Sequence, residues 1–511
     1  MARKTPLPFI IRDPVFSFVR KEKAPLSVNS KTPLPFMCHL YTRRGRLSIP
    51  FLKKVFMAFS GSRSDVFPVR LAATGLNMIV LLYSEKEKEI MTITEAIQKA
   101  KEIGGRDGLN CIAELYETAE REPAITGQMP ADSDETQPLA GVPILVKDNI
   151  DVKGFHTTAG SLALKDNLAK EDAPVIRNLK RNGAVIIGKT NMTEFANYVS
   201  TKMPGGYSSR GGQVIHAVRP DLDPLGSSTG SAVAVAAGIV PMAVGTDTCH
   251  SVTACAWGNG ICGLKPPAGA LSQEGIVPIS KTLDSAGAMA MNMTDTLRLY
   301  SAMRDEPLPE IKPTDPAKLR FAVNMANAEV FDDEKKAFHK ELIEILKSSG
   351  AQIGEVNEPP ALQVAVIMKG EIKNSLEEYL RKSAAHFKTL KEITEYYEAN
   401  PETMMKYGDD FLRGALDVKP GTLQEEEYRK AMEDREKAIR VTRDELSGYD
   451  AVLMSGPTSI MHFCSLPTVT VAFDRKDANG VRQAVILYGT DELRLYAAAL
   501  TIEALVNRRD V

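Results

Sequence analysis

The chain has 511 residues, 43% of them hydrophobic and 25% charged, with 63 basic against 65 acidic side chains for a net charge of −2. This is the make-up of a globular protein with enough chain for a large core, and the near-balance of charge leaves no basic footprint for nucleic acid. The six cysteines, at 38, 111, 249, 255, 262 and 464, are too irregularly spaced for a disulfide framework, and no uninterrupted apolar run reaches the roughly 18 to 20 residues that span a bilayer, so a reducing, cytoplasmic setting without a membrane is expected.

The first 90 residues differ from the rest. Through residue 80 there are 14 Lys/Arg and only 3 Asp/Glu, and the hexapeptide K-T-P-L-P-F occurs twice, at Lys4–Phe9 and Lys31–Phe36. Closely spaced prolines favour extended, unpaired backbone, so residues 1–90 read as a disordered leader or as a stretch outside the catalytic fold. The apolar run 71–83 follows too long a basic region, and precedes too charged a segment, for a signal peptide.

Order is expected from residue 91 onward. Thr92 and Glu95 form a capping-box pattern ahead of apolar residues at helical spacing (Ile93, Ala96, Ile97, Ala100, Ile103). A second helix is expected over 110–121. Next come a strand in G-V-P-I-L-V-K-D-N-I, a helix around A-P-V-I-R-N-L-K-R-N and a strand A-V-I-I-G. The segment S-A-V-A-V-A-A-G-I then leads to a strand V-P-M-A-V-G. Alternating strands and helices predict an α/β fold with a mostly parallel, mixed central sheet covered on both faces. The core is expected at about 135–300. Residues 333–446 turn charged and helical, as a pocket-forming region, before strands at A-V-L-M and P-T-V-T-V-A-F and a closing helix near 492–507.

Three segments could carry chemistry. Lys147 lies in the strand I-L-V-K-D-N-I. A lysine buried there would be held near neutrality and could act as a base, whereas one at the strand's exposed end would pair with Asp148 or Asp151. The turn L-G-S-S-T-G-S (225–231) opens an apolar helix, and small residues let backbone approach a reacting group. G-T-D-T-C-H-S (245–251) follows a strand and can present backbone N–H groups as an oxyanion hole. The cysteines at 249, 255 and 262 with His250 lack common zinc spacings, so no metal is expected.

Taken together, these segments resemble the amidase signature family of serine hydrolases, from about residue 92 onward. Y-S-S-R-G-G-Q (207–213) is most similar to its peptide-amidase-like branch. The resemblance implies the family's fold for 91–511 and a triad of Lys147, Ser227 and Ser251, with Ser251 as nucleophile 24 residues after Ser227. It also implies backbone oxyanion donors at Thr248, Cys249, His250 and Ser251, substrate contacts at Gly226 and Ser228, and no cofactor. The expected reaction is hydrolysis of a small-molecule or peptide amide to acid plus ammonia or amine through an acyl-enzyme. A homodimer is an allowed assembly. The family shows G-T-D-T-G-G-S where this chain has G-T-D-T-C-H-S. Side chains at those two positions cost on the order of 1–3 kcal/mol if the backbone there is left-handed. Two other readings remain: acyl transfer to an amine on the same triad, and a non-catalytic amidase-like binding protein.

Overall fold

The computed structural model divides the chain into two units, Met1–Ile90 and Met91–Val511. In the first it describes only the backbone of two antiparallel strand pairs, Tyr41–Thr42 with Gly45–Arg46 and Val66–Arg70 with Asn77–Leu81. In the second it describes residues 91–116, 137–324, 332–357, 363–418, 423–454 and 458–507. Both K-T-P-L-P-F copies lie outside the described residues, and within the leader expected over 1–90 only these strand pairs are described.

The second unit opens with α1 (Ile93–Ile103), and the capping box is present. Thr92 Oγ1 accepts the Glu95 N–H at 3.2 Å while Glu95 Oε2 accepts the Thr92 N–H at 2.8 Å. The helix expected over 110–121 is instead a strand, β1 (Ile112–Leu115), which pairs antiparallel with β3 (Val185–Thr190) at the sheet's edge. Tertiary pairing overrides the local pattern there, since these residues gain a ladder partner that an isolated helical turn would lack. Residues 117–121 of that expected helix are outside the described region.

Eleven strands make one sheet. Besides β1 and β3 they are β2 (Pro143–Lys147), β4 (Met242–Asp247), β5 (Cys262–Lys265), β6 (Ser285–Ala290), β7 (Arg320–Val323), β8 (Gln352–Glu355), β9 (Ala451–Leu453), β10 (Thr468–Lys476) and β11 (Arg482–Tyr488). Their order is β8-β7-β9-β11-β10-β5-β6-β4-β2-β3-β1. The α/β class and the mixed sheet are as expected. Parallel pairing is confined to two runs of three, β4-β2-β3 and β8-β7-β9. The strands between and beyond them pair antiparallel, so the sheet is less parallel than the strand–helix alternation suggested. Tight connections explain this: β10 and β11 are joined directly as a hairpin, with no crossover helix.

Alternation along the strands sends side chains to two faces. Ile144 and Val146 of β2 and Val244 of β4 join one core with α2 (Pro174–Arg181), α5 (Met293–Met303), α6 (Asp333–Ser348) and the C-terminal helix α11 (Glu492–Asn507). Leu145 and Ala243 face the other way, into a core with α1, α3 (Thr229–Ala236) and α4 (Thr253–Gly258). A further cluster gathers α7 (Val364–Lys382) and α8 (Leu390–Ala399) against Phe195, Tyr198 and Val199. The long helix α9 (Leu423–Leu446) and the single turn α10 (Ile460–Phe463) complete the helices used below. Among the described residues no helix is long and apolar enough to cross a membrane.

Candidate active site

The parallel neighbours β2 and β4 end side by side, with Val146 opposite Val244, so Lys147 and Thr246 emerge together at the strands' carboxyl ends. That edge is where open α/β sheets place their ligands. Lys147 is fully buried. Asp148 is not its partner, since that carboxylate faces Lys189 Nζ at 3.8 Å and Arg210 at 3.4 Å. Lys147 Nζ instead lies 2.8 Å from Ser227 Oγ, 3.0 Å from Ser228 Oγ, 2.8 Å from Thr246 Oγ1 and 3.2 Å from the Thr246 carbonyl. Asn149 Nδ2 donates to the same Thr246 Oγ1 at 3.0 Å and fixes it.

Loss of water around the ammonium brings the Lys147 pKa down to about 7, and Asp247 and Asp284 pull it back only in part. Among the described residues two other lysines are fully buried, Lys189 and Lys265, and burial lowers both. Lys189 donates to the carbonyls of Ile150 and His156, at 2.6 and 3.2 Å, and Lys265 to that of Leu466 at 3.4 Å. A carbonyl has no proton to give. Lys189 also has the Thr157 hydroxyl at 3.4 Å, and Lys147 differs in having three hydroxyls within 3.0 Å, those of Ser227, Ser228 and Thr246.

Ser227 Oγ lies 2.9 Å from Ser251 Oγ, so Lys147, Ser227 and Ser251 form one continuous line. Ser227 is fully buried and Ser251 is 7% exposed, so the far end of the line is the end nearer solvent. The Gly226–Ser227 peptide is cis. A Cβ on Gly226 would stand 2.3 Å from Thr193 Oγ1, which is why glycine is needed there. Ser228 is fully buried, and its hydroxyl contacts Lys147 and donates to the Thr246 carbonyl at 2.9 Å. Its neighbours are thus Lys147 of β2 and Thr246 of β4.

The loop that carries Ser251 is held at three points. Asp247 Oδ2 accepts the N–H groups of Val252, at 2.7 Å, and Thr253, at 3.2 Å, at the start of α4. Thr248 Oγ1 donates to Asp284 Oδ1 at 2.5 Å. Burial raises the Asp284 pKa to about 6, and its second oxygen accepts the Ile279 and Ser280 N–H groups at 2.8 and 2.9 Å. His250 Nε2 donates to the Thr458 carbonyl at 2.7 Å. His250 has φ of +69°, in the left-handed region that favours glycine. Cys249 is outside that region; its thiol sits 3.5 Å from Ser459 Oγ, and burial raises its pKa to about 11.

Four oxyanion donors were expected from the sequence, and one of them is already engaged. The His250 N–H donates to His462 Nε2 at 3.2 Å. The N–H groups of Cys249 and Ser251 have no partner among the described residues. Thr246, Asp247, Asn149, Asp284 and His462 were missed by the sequence reading. Asp247 could have been suspected from its place in G-T-D-T, but His462 lies 212 residues from its partner with no local signal. A mainly apolar cavity of about 230 Å³ borders His250, between Trp257 of α4 and Phe338 and Leu342 of α6. A larger cleft of about 770 Å³ near Asp151 and Tyr379 has none of the three aligned residues in its wall. Among the described residues no cluster of His, Cys, Asp or Glu could hold a metal ion.

A sequence profile of the family described as Amidase matches residues 92–471. A glutamyl-tRNA(Gln) amidotransferase component from Deinococcus radiodurans is 38% identical over 266 residues, which cover 49% of this chain and 54% of that protein. Urea amidolyase of Saccharomyces cerevisiae is 37% identical over 247 residues, covering 46% of this chain and 13% of that protein. The chain therefore spans about half the length of the first curated relative and less of the second. Among solved structures, an amidase family protein from Bacillus anthracis superposes with a TM-score of 0.73 at 27% identity, covering 81% of this chain and 87% of that one. The native peptide amidase of Stenotrophomonas maltophilia gives 0.71 at 26% identity, with 81% and 93% covered.

Proposed function

The chain belongs to the amidase signature family, and from that membership we propose that it hydrolyses a linear carboxylic amide through Lys147, Ser227 and Ser251. The observation that carries this reading is the unbroken contact from Lys147 Nζ to Ser227 Oγ at 2.8 Å and on to Ser251 Oγ at 2.9 Å.

As an ammonium, Lys147 donates towards Ser227 and the hydroxyl of Ser227 points on to Ser251. Loss of one proton reverses that sense. The amine keeps two N–H bonds for Thr246 and Ser228 and turns its lone pair to Ser227. Ser227 then gives its proton to Lys147 while taking one from Ser251, whose oxygen attacks the amide carbon. The negative charge that develops on the carbonyl oxygen falls to backbone N–H groups of the 248–251 loop. The proton returns along the same line to the departing nitrogen, which leaves as ammonia or amine. Water, deprotonated by the same route, releases the acid.

The substrate is proposed as a small-molecule or peptide amide. The similarity to a peptide amidase over 93% of that protein's chain supports this class, whereas the match to an amidotransferase component covers 54% of it. Helices α6 and α7 are proposed to wall the substrate's approach. Incubation with C-terminally amidated peptides and simple aryl amides, followed for released ammonia and acid, tests this reading. Turnover that vanishes in Ser251→Ala supports it. Amide formation from an added amine without net hydrolysis would replace it with acyl transfer.

A further inference from the structure

In accepting the His250 N–H, His462 decides which backbone groups of the loop are left for the substrate. We infer that His462, oriented by Asp247, is a positioning residue: it diverts the His250 N–H from the oxyanion site and locks the loop so that the N–H groups of Cys249 and Ser251 face it. This rests on the hydrolase reading above and adds to it a residue 212 positions away in sequence.

The proton inventory favours one arrangement. His250 Nε2 faces the Thr458 carbonyl at 2.7 Å and must carry hydrogen, because a carbonyl only accepts. His462 Nε2 must present a lone pair to receive the His250 N–H. Its hydrogen then sits on Nδ1, which faces Asp247 Oδ1 at 3.4 Å. That contact is a close approach and not an aligned hydrogen bond, and neither atom has a hydrogen-bond partner among the described residues. The opposite tautomer would donate from His462 Nε2 to His250 Nδ1 at 3.0 Å, but it would set that N–H against the His250 backbone N–H and turn a bare nitrogen lone pair to the carboxylate. The His250 ring adds a second contact, with Nδ1 at 3.0 Å from the same His462 Nε2. Burial lowers the His250 pKa, with Asp247 acting against it, and so favours the neutral ring.

The charged and titratable groups around His462 are Asp247 from β4, His250 from the loop and Lys265 from β5. Burial, with His250 and Lys265 acting in the same sense, holds the His462 pKa well below the usual histidine value, which keeps Nε2 an acceptor.

Asp247 serves both ends of the device. One oxygen faces His462, and the other holds the first N–H groups of α4 immediately after Ser251. The position of Ser251 and the direction of the His250 peptide are therefore fixed from one carboxylate. Where the family places glycine, this chain places a left-handed histidine whose ring and backbone are both tied down, to Thr458 and His462.

The test pairs a structural readout with a chemical one. His462→Leu removes the acceptor, and His462→Gln offers an amide oxygen in its place. Hydrogen exchange of the peptide containing His250 should quicken by tenfold or more in His462→Leu and remain near that of the parent in His462→Gln. The rate of Ser251 phosphonylation by a fluorophosphonate at saturating reagent should fall by about 10- to 100-fold in His462→Leu, the scale expected when a reacting group is misplaced. It should recover to within a few-fold in His462→Gln, with the half-saturation concentration little changed in both. Parent-like labelling in His462→Leu overturns the inference, as does Gln behaving no better than Leu. If the parent itself leaves Ser251 unlabelled, the hydrolase reading fails, while unchanged exchange at His250 in His462→Leu separately removes His462 from the loop's support.

Discussion

Ser251 sits between two polar networks of opposite design. On one side Lys147, Ser227 and Ser228 are side chains linked to side chains, with protons able to pass along hydroxyls. On the other, Asp247, Thr248, His250, His462 and Asp284 are linked to backbone N–H and carbonyl groups or to each other, fixing the course of the chain. Burial lowers Lys147 in the first, and in the second it lowers His250 and His462 and raises Asp284. Only the first sets its shifted base in line with a hydroxyl that leads on to Ser251. Burial alone therefore does not mark a catalytic group. Lys189, held by two carbonyls, the Thr157 hydroxyl and Asp148, and Lys265, held by the Leu466 carbonyl, are equally buried and make the same point within one sheet.

The largest effect should come from breaking the proton line itself. Lys147→Met is expected to lower Ser251 labelling by at least about 10³-fold, the scale seen when a nucleophile loses its base. The same substitution should not destabilise the fold at low pH. The Lys147 pKa is lowered in the folded state, so unfolding takes up a proton at pH values between about 7 and the ordinary lysine range. The burden of burying the ammonium is thus greatest at and below pH 7 and fades as pH rises. Thermal melts should show Lys147→Met gaining more over the parent at pH 6 than at pH 9. The opposite order would mean that Lys147 is held as a stabilising cation.

The next effect in size is the pH dependence of the parent. Labelling should rise about tenfold per pH unit on the acid side and level off above about 7, where Lys147 loses its proton. Thr246→Val sharpens the comparison by removing one acceptor of the ammonium at 2.8 Å. Hydrogen bonds to the charged form favour it, so their loss should move the profile to lower pH, by about half a unit to one unit if the bond is worth about 1 kcal/mol. A shift to higher pH would show that Thr246 serves the neutral amine instead.

The smallest effect is expected on the backbone side. His250→Gly relieves a left-handed residue, worth about 1 kcal/mol, and loses the ring's bond to Thr458, of similar size. The N–H to His462 survives. Melting temperature should stay within a few degrees and labelling within about tenfold. His250→Val, whose branched side chain tolerates this φ far less well, should be clearly worse on both counts.

The difference between the two networks also explains what the sequence made legible. Lys147, Ser227 and Ser251 lie in short local patterns, a strand end, a small-residue turn and a strand-to-helix loop, and it is the resemblance to the amidase signature family that singled them out as a set. A left-handed backbone was raised from the sequence only as a condition, at Cys249 or His250, and the structure has it at His250. The strand at Ile112–Leu115 reads as helix in the sequence because its ladder partner is supplied only by the assembled sheet. His462 was invisible for the same reason. Its role depends on α10 folding back onto the loop after β4, and nothing around Met461 or Phe463 in the sequence announces a partner at His250. Ser228, expected as a substrate contact, has a hydroxyl that contacts Lys147, a partner its place in the turn did not suggest.

The most direct measurement is intact-mass and peptide analysis after treatment with a fluorophosphonate, on the parent beside Ser251→Ala and Lys147→Ala. A single adduct on Ser251 in the parent, absent from Ser251→Ala and strongly slowed in Lys147→Ala, is the predicted result. A folded parent that takes up no adduct, or an adduct at Cys249 that persists in Ser251→Ala, would contradict a Lys147–Ser227–Ser251 line that delivers a nucleophile.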